Sequence, residues 1–249
     1  MRFCCPNCGR DEEVLLDRNP NCRFCRVEMI AASKYSDLWM SPYIAIIRMK
    51  TISETYGTER ACTDGRFKKD REAWTTGMLA LALSKLKDEK WWVEIETVDS
   101  TPDTKLRRID QSSGHNVIQT RNIEVVDWEE NVDDVMEVIG KKCSRAYPGH
   151  YLLLVNARHG GKVLEVDRVI EEMKKIRSPF LEVWVVAFIG PDDVKVVRVA
   201  PGGLAIDLKA RAELEMARRQ KPFLRRGIRG TDTQFRDLGP VYLPIPRCD

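Results

Sequence analysis

The chain has little histidine, no long apolar run and little net charge. Three of its 249 residues are histidine, and His150 and His159 show no ligand spacing with each other or with a cysteine. No apolar run reaches the length of a membrane span, and the first residues lack the charged-then-apolar pattern of a secretory signal. We therefore expect a cytoplasmic protein with reduced thiols and no membrane partner.

The charge balance alone does not indicate a partner. Lysine and arginine number 41 against 38 aspartate and glutamate, which leaves a net charge of +3. Local clustering is more informative, because residues 218–229 carry basic side chains and no acid. Such a patch suits phosphate contacts, although a solubilising tail has the same composition. The predicted nucleic-acid-binding residues are Arg218, Arg219, Lys221, Arg225, Arg226 and Arg229.

Cysteine, in contrast to histidine, is abundant, and its spacing is typical of a zinc site. Cys5 and Cys8 form one CxxC pair, and Cys22 and Cys25 form a second pair after a gap of 13 residues. Each pair makes a tight turn that directs both sulfurs to one ion, so the pattern predicts a four-thiolate zinc ribbon. Four cysteines leave no open coordination position, and the zinc is therefore expected to be structural. Two disulfides, or a loop without metal, are the alternatives.

In the remaining chain, segments with a helical pattern alternate with segments with a strand pattern. Apolar spacing of three and four residues predicts helices, whereas short β-branched runs bounded by turn residues predict strands. The alternation favours an α/β fold, a mixed sheet flanked by helices. The predicted helices cover 66–88, 132–147, 166–177 and 204–220, and the predicted strands include 151–155, 181–189 and 194–199.

Residues 91–128 contain the most informative stretch. A strand-like run ends near Asp103, and a second strand, 122–126, carries Glu124. Residues 112–114, Ser-Ser-Gly, predict a turn between them, so a hairpin would bring the two carboxylates close together. Two carboxylates at adjacent strand ends form an oxygen-ligand site for a hard cation such as magnesium. Asp99 is the second candidate for the first of these ligands.

The sequence Thr101-Pro102-Asp103, followed 21 positions later by Glu124 in a strand, resembles the PD-(D/E)xK nuclease superfamily. The resemblance implies a restriction-endonuclease-like fold and a metal-dependent nucleic-acid endonuclease, with Asp103 and Glu124 binding Mg²⁺ or Mn²⁺. It also implies DNA as the expected partner, a homodimer, and an additional acidic residue from the first helix. Glu72 is the position carried over for that role. A charge near the helix start, or a surface pair with Lys68 or Lys69, is its alternative reading.

Val126 departs from the motif, because it stands where the family has lysine, and valine can neither position a water nor stabilise a phosphate. Lys105, Gln119 and Arg121 are the candidates to replace that lysine. Two other functions stay open: a catalytically inactive nucleic-acid-binding protein on the same fold, and a zinc-ribbon module for protein interaction.

The predicted domain organisation follows from these patterns. A zinc ribbon would cover residues 1–28, a connecting segment packed on the core would cover 29–65, and the restriction-endonuclease-like domain would cover 66–203. A basic C-terminal helix and an extended tail would complete the chain over 204–249.

Overall fold

The computed structural model describes ten stretches of the chain. All four cysteines of the predicted zinc ribbon, Cys5, Cys8, Cys22 and Cys25, lie outside the described residues, and so do Asp99, Lys221, Arg226 and Arg229. The described stretches are residues 2–4, 11–13, 30–31, 38–95, 102–110, 117–157, 163–190, 192–220, 223–225 and 236–237.

The strands form one small sheet and one large sheet. Three short strands, β1 (Arg2–Cys4), β2 (Asp11–Glu13) and β3 (Ile30–Ala31), pair antiparallel in the order β2-β1-β3. The large sheet is built from β4 (Leu38–Met40), β5 (Trp92–Ile95), β6 (Thr104–Asp110), β7 (Val117–Trp128), β8 (Tyr151–Ala157), β9 (Glu182–Phe188), β10 (Asp193–Ala200), β11 (Leu204–Lys209), β12 (Phe223–Arg225) and β13 (Arg236–Asp237).

The large sheet is mixed, with the order β11-β10-β9-β8-β7-β6-β5-β4-β12-β13. Strands β7, β8 and β9 run parallel, and the other neighbours pair antiparallel. All seven residues of β8 are buried, as expected for a strand covered on both faces. β6 and β7 pair from Thr104↔Ile123 to Asp110↔Val117, which is the hairpin that the sequence predicted between the two carboxylates.

Helices cover both faces of this sheet. A cap fixes where two of them begin: Ser41 accepts a bond from Ile44 N at the start of the first, and Asp134 accepts one from Met136 N at the start of the fourth. The Asp134 cap explains why that helix begins later than the predicted residue 132. The helices are α1 (Pro42–Tyr56), α2 (Thr58–Thr63), α3 (Lys68–Lys87), α4 (Val135–Cys143), α5 (Val166–Met173) and α6 (Ala210–Ala217), and a 3-10 turn covers Gly65–Phe67.

Two hydrophobic cores lie on opposite faces of the sheet. Leu152 and Leu154 of β8 pack towards α1 and α3, together with α6. Leu153 and Val155 of the same strand pack towards α4 and α5. This period of two places β8 at the centre of a helix–sheet–helix arrangement, and the prediction of a mixed sheet flanked by helices is confirmed.

The predicted helix over 204–220 is wrong in its first third. Leu204–Lys209 forms β11 and pairs with β10, and the helix begins only at Ala210. Ile206 and Leu208 are buried while Ala205 and Asp207 are exposed, an alternation that fits a strand with one covered face. The large sheet therefore extends beyond residue 203. The alternation of apolar and polar residues that marks this strand is already present in the sequence.

None of the helices within the described stretches is long and apolar enough to cross a membrane.

A buried hydroxyl pair joins α3 to β6. Thr76 Oγ1 lies 2.7 Å from Thr104 Oγ1, and both residues are fully buried. Thr76 follows Glu72 by one helical turn, and Thr104 follows Asp103 directly. The bond between the two hydroxyls therefore holds α3, which carries Glu72, against β6, which begins directly after Asp103.

Replacing one hydroxyl of this pair is expected to destabilise the fold. Thr76→Val deprives the buried Thr104 hydroxyl of this partner and should lower the free energy of unfolding by ~1–2 kcal/mol in urea titrations. The Thr76→Val/Thr104→Val double variant should lose less than the sum of the two single variants. Thr55→Val, at an exposed position, should change it by less than ~0.5 kcal/mol. Additive losses in the double variant would refute this role.

Candidate functional site

A polar cleft of about 410 Å³ opens at the junction of α3, β6, β7 and α4. Both acidic and basic side chains line it. The three carboxylates that the sequence singled out, Glu72, Asp103 and Glu124, all line this cleft. The other charged residues that line it are Lys68, Arg71, Asp127, Glu129, Lys142 and Arg145.

Asp103 is held at the start of β6 by the backbone of β7. Its Oδ2 accepts a hydrogen bond of 2.9 Å from Val125 N–H, the residue after Glu124. Its Oδ1 lies 3.7 Å from Lys69 Nζ. One carboxylate oxygen therefore orients the side chain, and the second is directed to the charged groups around the cleft.

Glu124 is buried in β7 and receives two hydrogen bonds on one oxygen. Lys142 Nζ, from α4, donates to Oε1 at 2.6 Å, and Tyr147 OH donates to the same atom at 3.1 Å. Burial, assisted by the charge of Glu124, raises the pKa of Tyr147, so this phenol stays a donor at neutral pH. Within the described part of the chain, Oε2 of Glu124 is buried without a hydrogen-bond partner.

Glu72 is buried near the start of α3, and it also pairs with Lys68 and Lys69, as the alternative to a metal-binding role predicted. Its carboxylate lies 3.0 Å from Lys69 Nζ and 3.7 Å from Lys68 Nζ. Desolvation by burial, followed by the negative charge of Asp103, raises the pKa of Glu72 to about 7 in spite of both lysines. The two carboxylates are therefore close enough to compete for the same compensating positive charge.

Lys142 is the residue that sequence reasoning missed. Val125 packs with the core on the α3 side of the sheet and Val126 with the core on the α4 side, so Glu124 and Val126 share the face covered by α4. Lys142 approaches that face from α4 and reaches the carboxylate that a lysine at position 126 would adjoin. The only sequence signal was a basic pair in the last turn of a helix, which is common on helix surfaces.

The three replacements expected for the motif lysine do not line the cleft, as far as the structure describes it. Arg121 donates to Glu182 at 3.0 Å, and Gln119 accepts from Arg108 at 2.7 Å. Both side chains are therefore engaged with neighbours along the sheet. Lys105 pairs in register with Glu94 and Asn122, neither of which lines the cleft.

The basic C-terminal residues do not join this cleft within the part that the structure describes. Arg218 follows α6 and is exposed, with Glu215 at 3.7 Å, and Arg219 comes directly after it. Arg225 ends β12, which is four strands away from β7 in the sheet, or ~19 Å at the usual strand spacing. A role of Arg218, Arg219 or Arg225 would therefore lie away from the carboxylates.

Comparisons with protein-family models, with curated proteins and with solved structures find no match for this chain.

The raised pKa of Glu72 makes stability depend on pH in a defined window. Between the ordinary value of 4.5 and about 7, the folded protein retains a proton that the unfolded chain has lost, so stability falls as pH rises through this window. Glu72→Gln removes that cost and should stabilise the protein by ~1–2 kcal/mol at pH 8, with no gain near pH 4. Urea unfolding without added divalent cation measures both values.

The matched control is Glu171→Gln, at an exposed carboxylate of α5 that pairs with Lys174. Its effect on unfolding should be the same at pH 4 and pH 8. If Glu72→Gln raises the free energy of unfolding by the same amount at pH 4 and pH 8, the raised pKa of a buried Glu72 is contradicted.

Proposed function

We propose that this chain is a metal-dependent nucleic-acid endonuclease that hydrolyses phosphodiester bonds, with DNA as the expected substrate. The observation that carries the proposal is the shared cleft of Glu72, Asp103 and Glu124. These carboxylates come from a helix, a loop before a strand, and a neighbouring strand. Glu72 and Glu124 are buried and Asp103 is partly buried, and bringing three acids together out of water costs stability unless they serve a ligand.

The element order supports the same proposal. A helix, α3, is followed by the antiparallel strands β5, β6 and β7, then by α4 and by β8, which is parallel to β7. The resemblance implies this order for a restriction-endonuclease-like core: a helix, about three strands with the acidic residues, a helix and a further strand.

The donor chemistry of the cleft suits a hard divalent cation, but its carboxylates do not form a ready ligand group. Among the described residues, no three His, Cys, Asp or Glu side chains are grouped closely enough to hold a metal ion. Lys69 and Lys142 lie against the acids instead, and the buried Oε2 of Glu124 has no hydrogen-bond partner in the described stretches. Cation binding would therefore require the lysine ammonium groups to move away from the carboxylates.

Asp103, Glu124 and Glu72 would hold the ion, and a bound Mg²⁺ or Mn²⁺ would supply an activated water and neutralise charge on the phosphate. Lys142 would take the role of the absent motif lysine. Once released from Glu124, its ammonium group would remain on the same side of β7 and bind a phosphate oxygen. Arg145 and Lys68, which line the same cleft, would neutralise the neighbouring phosphates.

Cleavage of labelled single- and double-stranded DNA tests the proposal directly. The full-length protein should cut with Mg²⁺ or Mn²⁺ and stop with a chelator, because the acids need a cation to engage phosphate. Asp103→Ala and Glu124→Ala should each lower the cleavage rate by at least about 10²-fold. Glu171→Ala, an exposed carboxylate on α5, should leave it unchanged.

A negative result also has a clear meaning. Absence of cleavage on every substrate, with salt-sensitive binding retained, would reject the nuclease and favour an inactive binder. RNA substrates belong in the same series, because the cleft residues alone do not distinguish the two sugars.

Lys142→Met should lower the cleavage rate by about 10²- to 10³-fold, since it removes the ammonium group but keeps the length of the side chain. Lys142→Arg should restore part of the rate. Lys141→Met, the exposed neighbour in α4, should cleave at the wild-type rate. Equal rates for the Lys142 and Lys141 variants would show that another group replaces the motif lysine.

An inactive nucleic-acid-binding protein is the second candidate, and Val126 favours it. Val126 lines the cleft and packs against the core on the α4 side, and it brings no charged or hydrogen-bonding group to the position where the motif has lysine. A homodimer, which would present one cleft to each strand of a duplex, belongs to either candidate and can be measured by sedimentation of the full chain.

The zinc ribbon is a second part of the proposal, independent of the cleft. Cys5, Cys8, Cys22 and Cys25 would bind one structural zinc ion, and the segment is too short to bury enough surface to fold without it. The ribbon would assist nucleic-acid binding or contact a partner protein.

The purified protein should contain one zinc ion per chain by elemental analysis. Cys8→Ser or Cys22→Ser should reduce the zinc content to near zero, because three thiolates hold the ion far more weakly than four. Cys143→Ser, at a half-buried cysteine outside the ribbon, should leave the zinc content at one per chain. Full zinc in the Cys8→Ser and Cys22→Ser variants would exclude this ligand set.

A further inference from the structure

A second cavity of about 800 Å³ lies beside the acidic cleft. It is enclosed by α1, α2 and α3 and by the ends of β8 and β9, and its size falls in the usual range for small-molecule sites. Arg71 and Glu129 line both the cavity and the cleft, so the two spaces adjoin. Arg71 is fixed at this boundary because its guanidinium donates to the carbonyls of Ala61 and Asp64 at 3.1 and 2.7 Å.

One wall of the cavity is aromatic. Trp74 of α3 and Phe188 at the end of β9 stack with ring centroids 4.8 Å apart and an angle of 9° between the ring planes. Both rings are half-buried and line the cavity. Ile46, Met49 and Ala61 complete an apolar lining, which suits a ligand with an apolar face.

Asn156, which also lines the cavity, supplies one polar atom without a partner. This residue is 2% exposed, and its Nδ2 donates to Asp127 Oδ1 at 2.9 Å across the β7–β8 pair. Asp127 lines the acidic cleft, and its carboxylate can only accept, so the amide nitrogen must face Asp127. The Oδ1 of Asn156 then faces away and is buried without a hydrogen-bond partner in the described stretches.

An unpartnered buried acceptor selects for a ligand that brings a donor. A phosphate group or an acyl chain has no N–H to offer, so neither satisfies Asn156 Oδ1. A nucleobase combines flat apolar faces with ring or exocyclic N–H groups. It therefore fits the aromatic wall and the amide oxygen together.

The geometry points to a nucleobase-binding pocket beside the cleft. The pocket takes the base of a nucleotide whose phosphate lies against Arg71 and the cleft residues, with the base against Trp74 and its N–H donating to Asn156. This inference deepens the proposed nuclease function and rests on it for the source of the base, which is the substrate strand. Separating the base from its neighbours costs least in single-stranded nucleic acid.

Binding without added divalent cation tests the pocket apart from cleavage. A fluorescein-labelled single-stranded oligonucleotide is compared with a strand of the same length in which every position is abasic, using the full-length protein and fluorescence anisotropy. The wild type should bind the base-containing strand at least about tenfold more tightly. The comparison is repeated with an oligoribonucleotide.

Two variants alter the pocket by different routes. Thr63→Trp fills it from an exposed lining position, and Asn156→Leu removes the acceptor. Each should reduce the preference for bases to less than about twofold. Glu54→Trp, an exposed position on α1 that does not line the cavity, is the matched control and should keep the wild-type preference. Unfolding curves identify any variant that fails to fold. If Asn156→Leu fails to fold, Thr63→Trp still tests the pocket, because its substitution lies at an exposed position.

A titration with free nucleoside monophosphates separates the two sources of the base. Binding that Thr63→Trp weakens, together with a base preference on strands, supports the pocket as stated. Binding of the free nucleotide alone overturns the strand as the source, and equal affinity of the wild type for both strands with no nucleotide binding overturns the pocket. Base preference without cleavage would reject the nuclease but keep the pocket. Cleavage without base preference would support the nuclease and reject the pocket.

Discussion

The site depends on the compensation of buried negative charge. Glu72 and Glu124 are each 5% exposed, and ammonium groups from Lys69 and Lys142 lie against them. Carboxylates buried at this depth must be protonated, paired or bound to a cation. The raised pKa of Glu72, at about 7, shows that the compensation there is incomplete. A divalent cation bound between the carboxylates would relieve this imbalance.

The sheet positions the charged groups by its strand connections. β7 pairs antiparallel with β6 and parallel with β8, so its central residues have neighbours on both sides. Asp103 reaches the cleft because the β6–β7 hairpin places it beside Val125, and Asp127 meets Asn156 because their strands are in register. β7 thereby lines the acidic cleft, and its Asp127 contacts Asn156, which lines the apolar cavity.

Local patterns in the sequence predicted most of the fold and part of the site. A continuous apolar run identified β8, helical spacing identified α3, and the turn signal at residues 112–114 identified the β6–β7 hairpin. Each of these signals depends only on neighbours in sequence. Lys142 was not predicted, since its approach to Glu124 depends on how α4 packs on the sheet. Nor was the strand at 204–209, where pairing with β10 outweighs a weak helical pattern.

The most direct test of the account is a titration of the full-length protein with Mn²⁺, followed by the loss of the free-ion signal in electron paramagnetic resonance. The account predicts one Mn²⁺ site per chain that is lost in Asp103→Asn and in Glu124→Gln, and retained in the exposed-site variant Glu171→Gln. Thiolates prefer softer metals, so the ribbon cysteines should not add a second Mn²⁺ site. Equal Mn²⁺ binding by all four proteins, or none by the wild type, would contradict the central claim.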